Sequence, residues 1–407
     1  MLEASVKDQM IADVPVGAFL SGGIDSSLIV SLMQKNHGSS VKTFSIGFDN
    51  KQYDEAQFAK SVANHLGTDH SELYVSESDV IKLVPRLHEI YSEPLADSSQ
   101  LPTVLVSALA REKVTVALTG DAGDELFAGY NRHAFVHNGW PKLRRVPLPL
   151  RKVLVGAVHS MEESSLERWG SKLPGTKNWT RIGEKLRKNA DVIAAENYGH
   201  LYSLATTIGR PDILTECHNT HQESADYGPQ KELLMEQLHS LEIADTELDP
   251  ARVIMLRDQV DYLHNDVLAK VDRASMSVSL ETRAPFLDHR LAEFTQTLPT
   301  DYFFQSGQQK ILLKQLLSRH VPNELYDRPK MGFAIPVNKL LGGELRDWVE
   351  DLFSEQNINK VGLFDANSLS NQWNAHIRQK RNNIESLWPA IIMQSWCLNW
   401  QCDATNL

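Results

Sequence analysis

The sequence predicts an α/β fold in which a parallel-sheet core is followed by a large helical second half. Short apolar runs alternate with helix-period stretches over the first third, and glycine- and acid-rich loops follow two of these runs. From about residue 131 the pattern becomes mostly helical. Strands separated by helices of this length imply right-handed crossovers and a parallel sheet covered on both faces.

The individual elements follow from apolar periodicity and from local start and stop signals. Four strands are predicted, over residues 14–20, 41–48, 70–75 and 114–120. Helices are predicted over 26–36, 53–67, 76–91 and 101–112, and long packed helices over 251–281 and 387–400. Ser76 is a capping serine and Gly67 ends a helix. Ligands of such sheets collect at the carboxyl ends of the strands, where both unusual loops are predicted to lie.

Composition excludes several classes of protein. The 407 residues carry 42% hydrophobic and 23% charged residues, as in soluble globular proteins. A formal charge of −11 argues against nucleic-acid binding, and no apolar run is long enough to span a membrane. Three cysteines, Cys217, Cys397 and Cys402, indicate no disulfide framework. We therefore expect a cytoplasmic protein.

The first unusual loop, LSGGIDSS (20–27), has the composition of a phosphate-binding turn. Gly22 and Gly23 let the backbone approach an anion, and the helix that follows offers unpaired N–H groups. The loop lacks the lysine of a Walker motif. Asp25 would repel a phosphate unless Mg²⁺ lies between them. The alternative is a tight strand–helix turn with a simple N-terminal cap.

The second loop, LTGDAGDELFAGYNRH (118–133), places three acids close together. Asp121, Asp124 and Glu125 flank small residues at the start of a helix. Helix capping accounts for one of these acids, whereas a shared cation accounts for the cluster.

Several blocks resemble one family. SGGIDSS is similar to the pyrophosphate loop of the N-type ATP pyrophosphatases, which have an adenine nucleotide alpha hydrolase-like fold. GDAGDE resembles the SGEGSDE motif in the synthetase domain of glutamine-dependent asparagine synthetases. Five further blocks agree with that family in order along the chain: residues 13–27, 53–59, 93–103, 272–289 and 328–336.

The resemblance implies a set of site residues. The adenine and ribose contacts of the family fall on Leu20, Ile46, Thr119 and Gly120. Its pyrophosphate loop falls on Ser21, Gly22, Gly23, Asp25, Ser26 and Ser27, with Asp25 and Asp124 as magnesium ligands. The glutamate that supports acyl-adenylate formation falls on Asp121, which is one methylene shorter. A serine of the family's motif is replaced by Gly123.

Other candidates concern catalysis and the acceptor substrate. Lys330 in RPKMGFAIP matches a lysine that lies over the α-phosphate in related enzymes, where a cation stabilises the charge of the transferring group. Ser98 and Ser99 are weaker candidates for contacting the acceptor carboxylate. Asp272 and Arg273 are weaker candidates for contacting the amino-acid substrate or pyrophosphate. His264 is interpreted as an ordinary helical histidine.

The resemblance implies an ATP- and Mg²⁺-dependent ligase that converts aspartate and ammonia into asparagine, AMP and pyrophosphate through a β-aspartyl-adenylate. One alternative is a related amidotransferase, or a β-lactam-synthetase-like cyclase, acting on another carboxylate. Another is a non-catalytic nucleotide-binding module. Small molecules are the expected partners, a homodimer is compatible with the family, and nucleic acid and membranes are not expected.

The resemblance also predicts the domain organisation. Residues 1–12 would be the remnant of an inter-domain linker and 13–407 the synthetase domain. This domain would comprise an α/β core (13–130), a helical insertion (131–250) and a helical substrate and catalytic-loop part (251–407). The glutaminase domain that precedes it in the family is expected to be absent. Free ammonia, a separate glutaminase subunit and a fragmentary chain remain open.

Overall fold

A computed structural model describes residues 1–48, 55–161, 165–166, 168, 190–207, 249–328, 340–378, 384–402 and 404. The chain divides into two compact units. Unit 1 comprises Met1–Gly129, Asp258–Gly362 and Pro389–Leu407. Unit 2 comprises Tyr130–Arg257 and Leu363–Trp388.

Unit 1 contains a five-stranded parallel sheet of order β3-β2-β1-β4-β5. Its strands are β1 (Val16–Phe19), β2 (Lys42–Phe48), β3 (Asp69–Val75), β4 (Val116–Leu118) and β5 (Glu281–Arg283). A separate antiparallel pair is formed by β6 (Phe304–Gln305) and β7 (Gln308–Gln309). The predicted α/β class with a parallel sheet is confirmed.

The helices are, in chain order, α1 (Leu2–Gln9), α2 (Ile24–Asn36), α3 (Ala56–Leu66), α4 (Glu77–Leu83), α5 (Leu87–Ile90), α6 (Gln100–Arg111), α7 (Gly123–Leu126), α8 (Asn131–Ala134), α9 (Trp140–Leu143), α10 (Leu148–Ser160), α11 (Tyr198–Thr206), α12 (Pro250–Val260), α13 (Ala269–Met276), α14 (His289–Thr297), α15 (Ile311–Leu317), α16 (Arg346–Leu352), α17 (Glu355–Val361), α18 (Ala366–Ile377) and α19 (Ile384–Trp400). Two π-helical turns, Phe135–Gly139 and Leu263–Leu268, join neighbouring helices.

Local signals explain several helix ends. Ser76 and Asp79 form a capping box at the start of α4, and Gly67 ends α3 with a φ of 71°. The helix predicted over 76–91 is divided into α4, a 3-10 turn (Val84–Arg86) and α5. Pro85 explains this division because it lacks an amide hydrogen.

The fifth strand corrects the prediction of a continuous helix over residues 251–281. The helical run is interrupted after Val260 and ends at Met276, and Ser279 has a φ of 58°, which turns the chain. Glu281 N then donates to Thr115 O at 2.9 Å, so β5 extends the sheet beside β4. This strand is short and lacks an apolar alternation, and its pairing with β4 is a long-range contact.

Unit 2 has its own apolar core. The buried members of this core are Val136, Trp140, Ala195, Leu201, Tyr202 and Ile254. Arg151 is buried in the same unit, where its NH1 group donates to the carbonyl oxygens of Ile193 and Ala195 at 2.9 and 2.8 Å. Within the described residues, every helix is too short or too polar to cross a membrane.

Candidate active site

The glycine- and serine-rich loop joins β1 to α2 at the carboxyl end of the sheet. Ser26 Oγ lies 3.1 Å from Ser21 Oγ and 3.2 Å from the Ser21 backbone nitrogen, which closes the loop on itself. Gly23 is the N-cap residue of α2, and Asp25 lies in the first turn of that helix. The backbone N–H groups in the first turn of a helix are suited to bind an anion.

The second loop packs closely against the first because glycine stands at each contact. A Cβ on Gly120 would lie 2.8 Å from the backbone nitrogen of Ser26, and one on Gly123 would lie 2.6 Å from Asp25 Oδ1. Gly123 is the position where the family's motif has serine. In this chain a side chain at position 123 would require the Asp25 carboxylate to shift.

Lys310 lies between the two carboxylates predicted to hold a metal. Its ammonium contacts Asp25 Oδ2 and lies 2.5 Å from Asp124 Oδ1. The lysine is 6% exposed, and a Cβ on Gly129 would lie 2.2 Å from Lys310 Cε. Burial alone would lower the pKa of Lys310, but the charges of Asp124 and Asp25 outweigh it and raise the pKa above its usual value. Lys310 is therefore a cation.

This pair of carboxylates fits a divalent cation. The buried ammonium group occupies the place between Asp25 and Asp124 as a stand-in cation. Within the described residues no group of three or more His, Cys, Asp or Glu side chains is arranged around a metal site. Mg²⁺ needs no such group, because one or two carboxylates commonly hold it together with substrate phosphates.

Asp121 lies in the second loop, between β4 and α7. Burial raises the pKa of Asp121 above its usual range, and the charges of Asp25 and Asp124 act in the same direction. The hydroxyl of Thr119 and the charge of Lys270 oppose this rise. Asp121 is thus electrostatically coupled to the carboxylates at Lys310 and to a second lysine.

That second lysine belongs to a separate ion cluster, which we call the Lys270 cluster and define as Lys270, Asp97 and Asp266. Lys270 Nζ lies 2.5 Å from Asp97 Oδ2 and 3.8 Å from Asp266 Oδ1. Burial alone would raise the pKa of Asp97, but Lys270 outweighs it and lowers the pKa. Ser99, through its backbone nitrogen and its hydroxyl, also donates to Asp97 at 2.8 Å.

The remaining predicted residues are distributed around the sheet. Leu20, Ile46 and Thr119 are buried at or near the carboxyl ends of β1, β2 and β4, and Ser27 is completely buried. Ser98 and Ser99 precede α6. Asp272 and Arg273 are about half exposed and pair with one another, and Arg273 also donates to Ser92. Lys330 lies outside the described residues.

Sequence reasoning missed Lys310. It is the N-cap residue of α15, with a φ of 56°, and it follows the short β6–β7 hairpin. Its only local signal is a lysine directly before an apolar helix, which is a common surface pattern. Contact with Asp25, 285 positions away, is visible only in the folded chain.

The fold and the two facing loops define an α/β protein with a candidate nucleotide site at the carboxyl edge of its parallel sheet. The chain belongs to the asparagine synthase family, whose model matches residues 1–398.

Individual relatives agree with this family. The chain is 29% identical over 398 residues to an asparagine synthetase [glutamine-hydrolyzing] 1 of Bacillus subtilis, covering 96% of this chain and 57% of the relative. It is 37% identical over 287 residues to a putative asparagine synthetase [glutamine-hydrolyzing] 2 of Methanocaldococcus jannaschii, covering 68% of this chain and 48% of the relative. An amidase, chyE, of Penicillium rubens is 26% identical over 405 residues, covering 90% of this chain and 56% of the relative. The chain thus spans about half the length of these relatives.

Proposed function

We propose that this chain is an ATP-dependent amide ligase that activates a carboxylate as an acyl-adenylate and transfers it to ammonia. The observation that carries the proposal is the pair of carboxylates, Asp25 and Asp124, held around a buried cation beside a phosphate-type loop. The relatives' names support an amide-forming reaction, and aspartate is the acceptor we propose first.

The reaction has two steps. An oxygen of the substrate carboxylate attacks the α-phosphorus of ATP, the bond between the α-phosphorus and the bridging oxygen breaks, and pyrophosphate leaves. Ammonia then attacks the carbonyl carbon of the acyl-adenylate, loses a proton, and expels AMP. The main task of the protein is to bring two anionic reactants together and to offset the charge that develops.

The residues of the site have distinct proposed roles. The loop Ser21–Ser26 binds the pyrophosphate part of ATP through backbone N–H groups and hydroxyls, and Leu20, Ile46, Thr119 and Gly120 surround the adenosine. Asp25 and Asp124 would hold Mg²⁺, which supplies positive charge to the phosphate oxygens when bound. Lys310, which contacts both carboxylates, would provide a second positive charge beside the metal.

Two other residues are proposed to act on the reacting groups. Asp121, at the edge of the second loop, supports acyl-adenylate formation, and Lys330 stabilises the charge at the α-phosphate. Ser98 and Ser99 are proposed contacts of the acceptor carboxylate. The acceptor would then lie near the N-terminus of α6, which begins at Gln100.

A second candidate is an amide ligase that uses another carboxylic acid. The relative named amidase chyE favours this candidate, because its similarity extends over 90% of the chain. The replacement of the motif's glutamate by Asp121 shortens one side chain at the site, which could suit a different acceptor.

A pyrophosphate-release assay tests both candidates. The purified chain is incubated with MgATP, ammonium chloride and one carboxylic acid at a time, and hydroxylamine replaces ammonia in a parallel series. Aspartate-dependent formation of pyrophosphate, AMP and asparagine is expected, together with aspartyl hydroxamate in the second series.

The pattern of products decides between the candidates. Pyrophosphate release that ignores aspartate and responds to another acid would favour the second candidate. ATP binding without pyrophosphate release for any acid, with either ammonia or glutamine, would leave only a nucleotide-binding module.

A further inference from the structure

Two residues that the proposed site does not use, Glu55 and Arg328, connect two of the sequence blocks that resemble the family. Glu55 belongs to the block YDEAQFA (53–59), and Arg328 begins RPKMGFAIP (328–336). The NH1 and NH2 groups of Arg328 both lie 3.4 Å from Glu55 Oε1. Their side chains are only 15% and 11% exposed, so this is a largely buried ion pair.

Arg328 also contacts the phosphate-type loop directly. Its NH2 group donates to the carbonyl oxygen of Ser21 at 3.4 Å. Its guanidinium lies over the ring of Phe58, 4.1 Å from the ring centroid, which limits the orientations open to it. One guanidinium group therefore connects the loop after β1 with the beginning of α3.

The loop rests on the beginning of the same helix. Gly22 has a φ of 71°, and a Cβ there would lie 2.7 Å from both the carbonyl carbon of Phe58 and the backbone nitrogen of Ala59. The first turn of α3 thus supports one side of the loop, and Arg328 holds the carbonyl of Ser21. Glu55 is the N-cap residue of α3, so it anchors Arg328 to this supporting turn.

Because the peptide bond is planar, the contact between Arg328 and the Ser21 carbonyl also affects the N–H group of Gly22. In a trans peptide, the carbonyl of Ser21 and the N–H of Gly22 lie in one plane and point in opposite directions. Holding the Ser21 oxygen against Arg328 therefore determines the direction of the Gly22 N–H. A loop that binds phosphate through backbone N–H groups needs this peptide in one orientation.

We propose that Arg328, held by Glu55 and Phe58, is a positioning residue that orients the Ser21–Gly22 peptide for the pyrophosphate group of the nucleotide. The inference deepens the proposed function and rests on it for the identity of the ligand. It assigns Arg328 an effect on the pyrophosphate part of the site and none on the adenosine part.

Binding measurements test this assignment without requiring turnover. Calorimetry measures the affinity of the whole chain for magnesium pyrophosphate and, separately, for AMP. In Arg328→Met, pyrophosphate binding should weaken about 10- to 100-fold, the range for losing a hydrogen bond that involves a charged group. AMP affinity should stay within about twofold of the parent protein's value, because the inference assigns Arg328 no effect on the adenosine part of the site. A twofold change corresponds to less than about 1 kcal/mol.

The partner variant separates positioning from direct contact with the phosphate. Glu55→Gln should weaken pyrophosphate binding, and the double variant Arg328→Met/Glu55→Gln should be no weaker than Arg328→Met alone. Arg328→Lys keeps the charge but loses the planar, multiple contact, so it should restore only part of the affinity. It also serves if the methionine variant fails to fold. Arg290→Met is the matched control, since Arg290 pairs with Asp8 and Asp288 and should leave both affinities unchanged.

The outcomes are distinguishable. Unchanged pyrophosphate affinity in folded Arg328→Met, equal losses for pyrophosphate and AMP, or tighter pyrophosphate binding in Glu55→Gln would each overturn the inference. A parent protein that binds no pyrophosphate would overturn it as well. If the parent protein binds both ligands but converts no carboxylate, the proposed function fails, and the affinities of the variants still decide the role of Arg328.

Discussion

Two buried lysines in unit 1 each contact two aspartate carboxylates, but they lie in different parts of the fold. Lys310 lies between Asp25 and Asp124, and Lys270 contacts Asp97 and Asp266. Lys310 caps a helix in a left-handed conformation and faces two loops at the carboxyl end of the sheet. Lys270 lies within α13, four residues after Asp266, and contacts the segment before α6.

The two clusters share a lysine–carboxylate arrangement but join different parts of unit 1. The carboxylates at Lys310 lie at the carboxyl end of the sheet, beside a loop with the composition of a phosphate-binding turn. The Lys270 cluster ties α13 to the start of α6, where Ser99 also donates to Asp97. We therefore expect the Lys270 cluster to act on stability and Lys310 to act on ligand binding and catalysis.

The largest effect should come from the Lys270 cluster. Lys270→Met leaves two largely buried carboxylates without their cation, which should lower the free energy of unfolding by about 3–5 kcal/mol. Urea denaturation followed by circular dichroism measures this loss. Adding Asp97→Asn to Lys270→Met should recover part of it.

Lys60→Met is the control for that experiment. The Lys60 side chain is 59% exposed and pairs with Glu72, so its loss should cost less than about 1 kcal/mol. A Lys270→Met protein as stable as the Lys60 variant would show that the Lys270 cluster is not a stability element.

The next effect concerns Lys310 and catalysis. Lys310→Met removes a preorganised cation that is proposed to stabilise the negative charge of the phosphate groups. The kcat for pyrophosphate release should therefore fall about 10²- to 10³-fold. Lys314→Met is the matched control on the same helix, because Lys314 pairs with Asp327 at 2.8 Å. Equal rates in both variants would contradict a role for Lys310 in the reaction.

The same variant should respond to magnesium. With the ammonium group gone, Mg²⁺ can lie between Asp25 and Asp124. We therefore expect nucleotide-free Lys310→Met to bind Mg²⁺ about tenfold more tightly than the parent protein, a gain of ~1.4 kcal/mol in binding free energy. Calorimetry measures the affinity, and a melting temperature that rises with Mg²⁺ provides a second readout. Lys270→Met should show no such rise. If magnesium affected both variants alike, the two clusters would not differ in the way we describe.

The smallest effect concerns pH and Asp97. Its pKa lies below the usual value, so its contribution to stability is present above the unfolded-state pKa of about 3.9 and is lost as the pH falls through the folded-state pKa. The difference in unfolding free energy between the parent protein and Asp97→Asn should therefore be constant near neutral pH and shrink below about pH 4. Urea titrations from neutral to acidic pH measure it. A difference that grows on acidification would contradict the lowered pKa.

The fold class could be predicted because its signals are local. Strands β1 to β4 are apolar runs bounded by turn residues, and the helices between them have periodic apolar faces. Strand β5 could not be predicted, because Glu281 and Arg283 carry no strand pattern and are held by pairing with β4. The end of the preceding helix was missed for the same reason.

Parts of the candidate site could be proposed from the sequence where its chemistry is concentrated in short motifs. Asp25 and Asp124 stand in loops whose glycines have a clear steric function, and the structure brings both carboxylates to one cation. Lys310 has no comparable local pattern, and the block that begins at Arg328 does not reveal the partners of that arginine. Each acts on a residue more than 250 positions away, Asp25 in one case and Glu55 in the other.

The sequence by itself determined the parallel sheet, the two loops at its carboxyl edge and the carboxylates that those loops carry. These properties depend on apolar periodicity, glycine and residue chemistry within short segments. Only the tertiary structure decided which cation lies between Asp25 and Asp124, which arginine holds the Ser21 carbonyl, and which side chain lies against Gly123. The physical reason is that charge pairing and steric exclusion depend on distances of a few ångströms, and only folding brings distant parts of the chain that close.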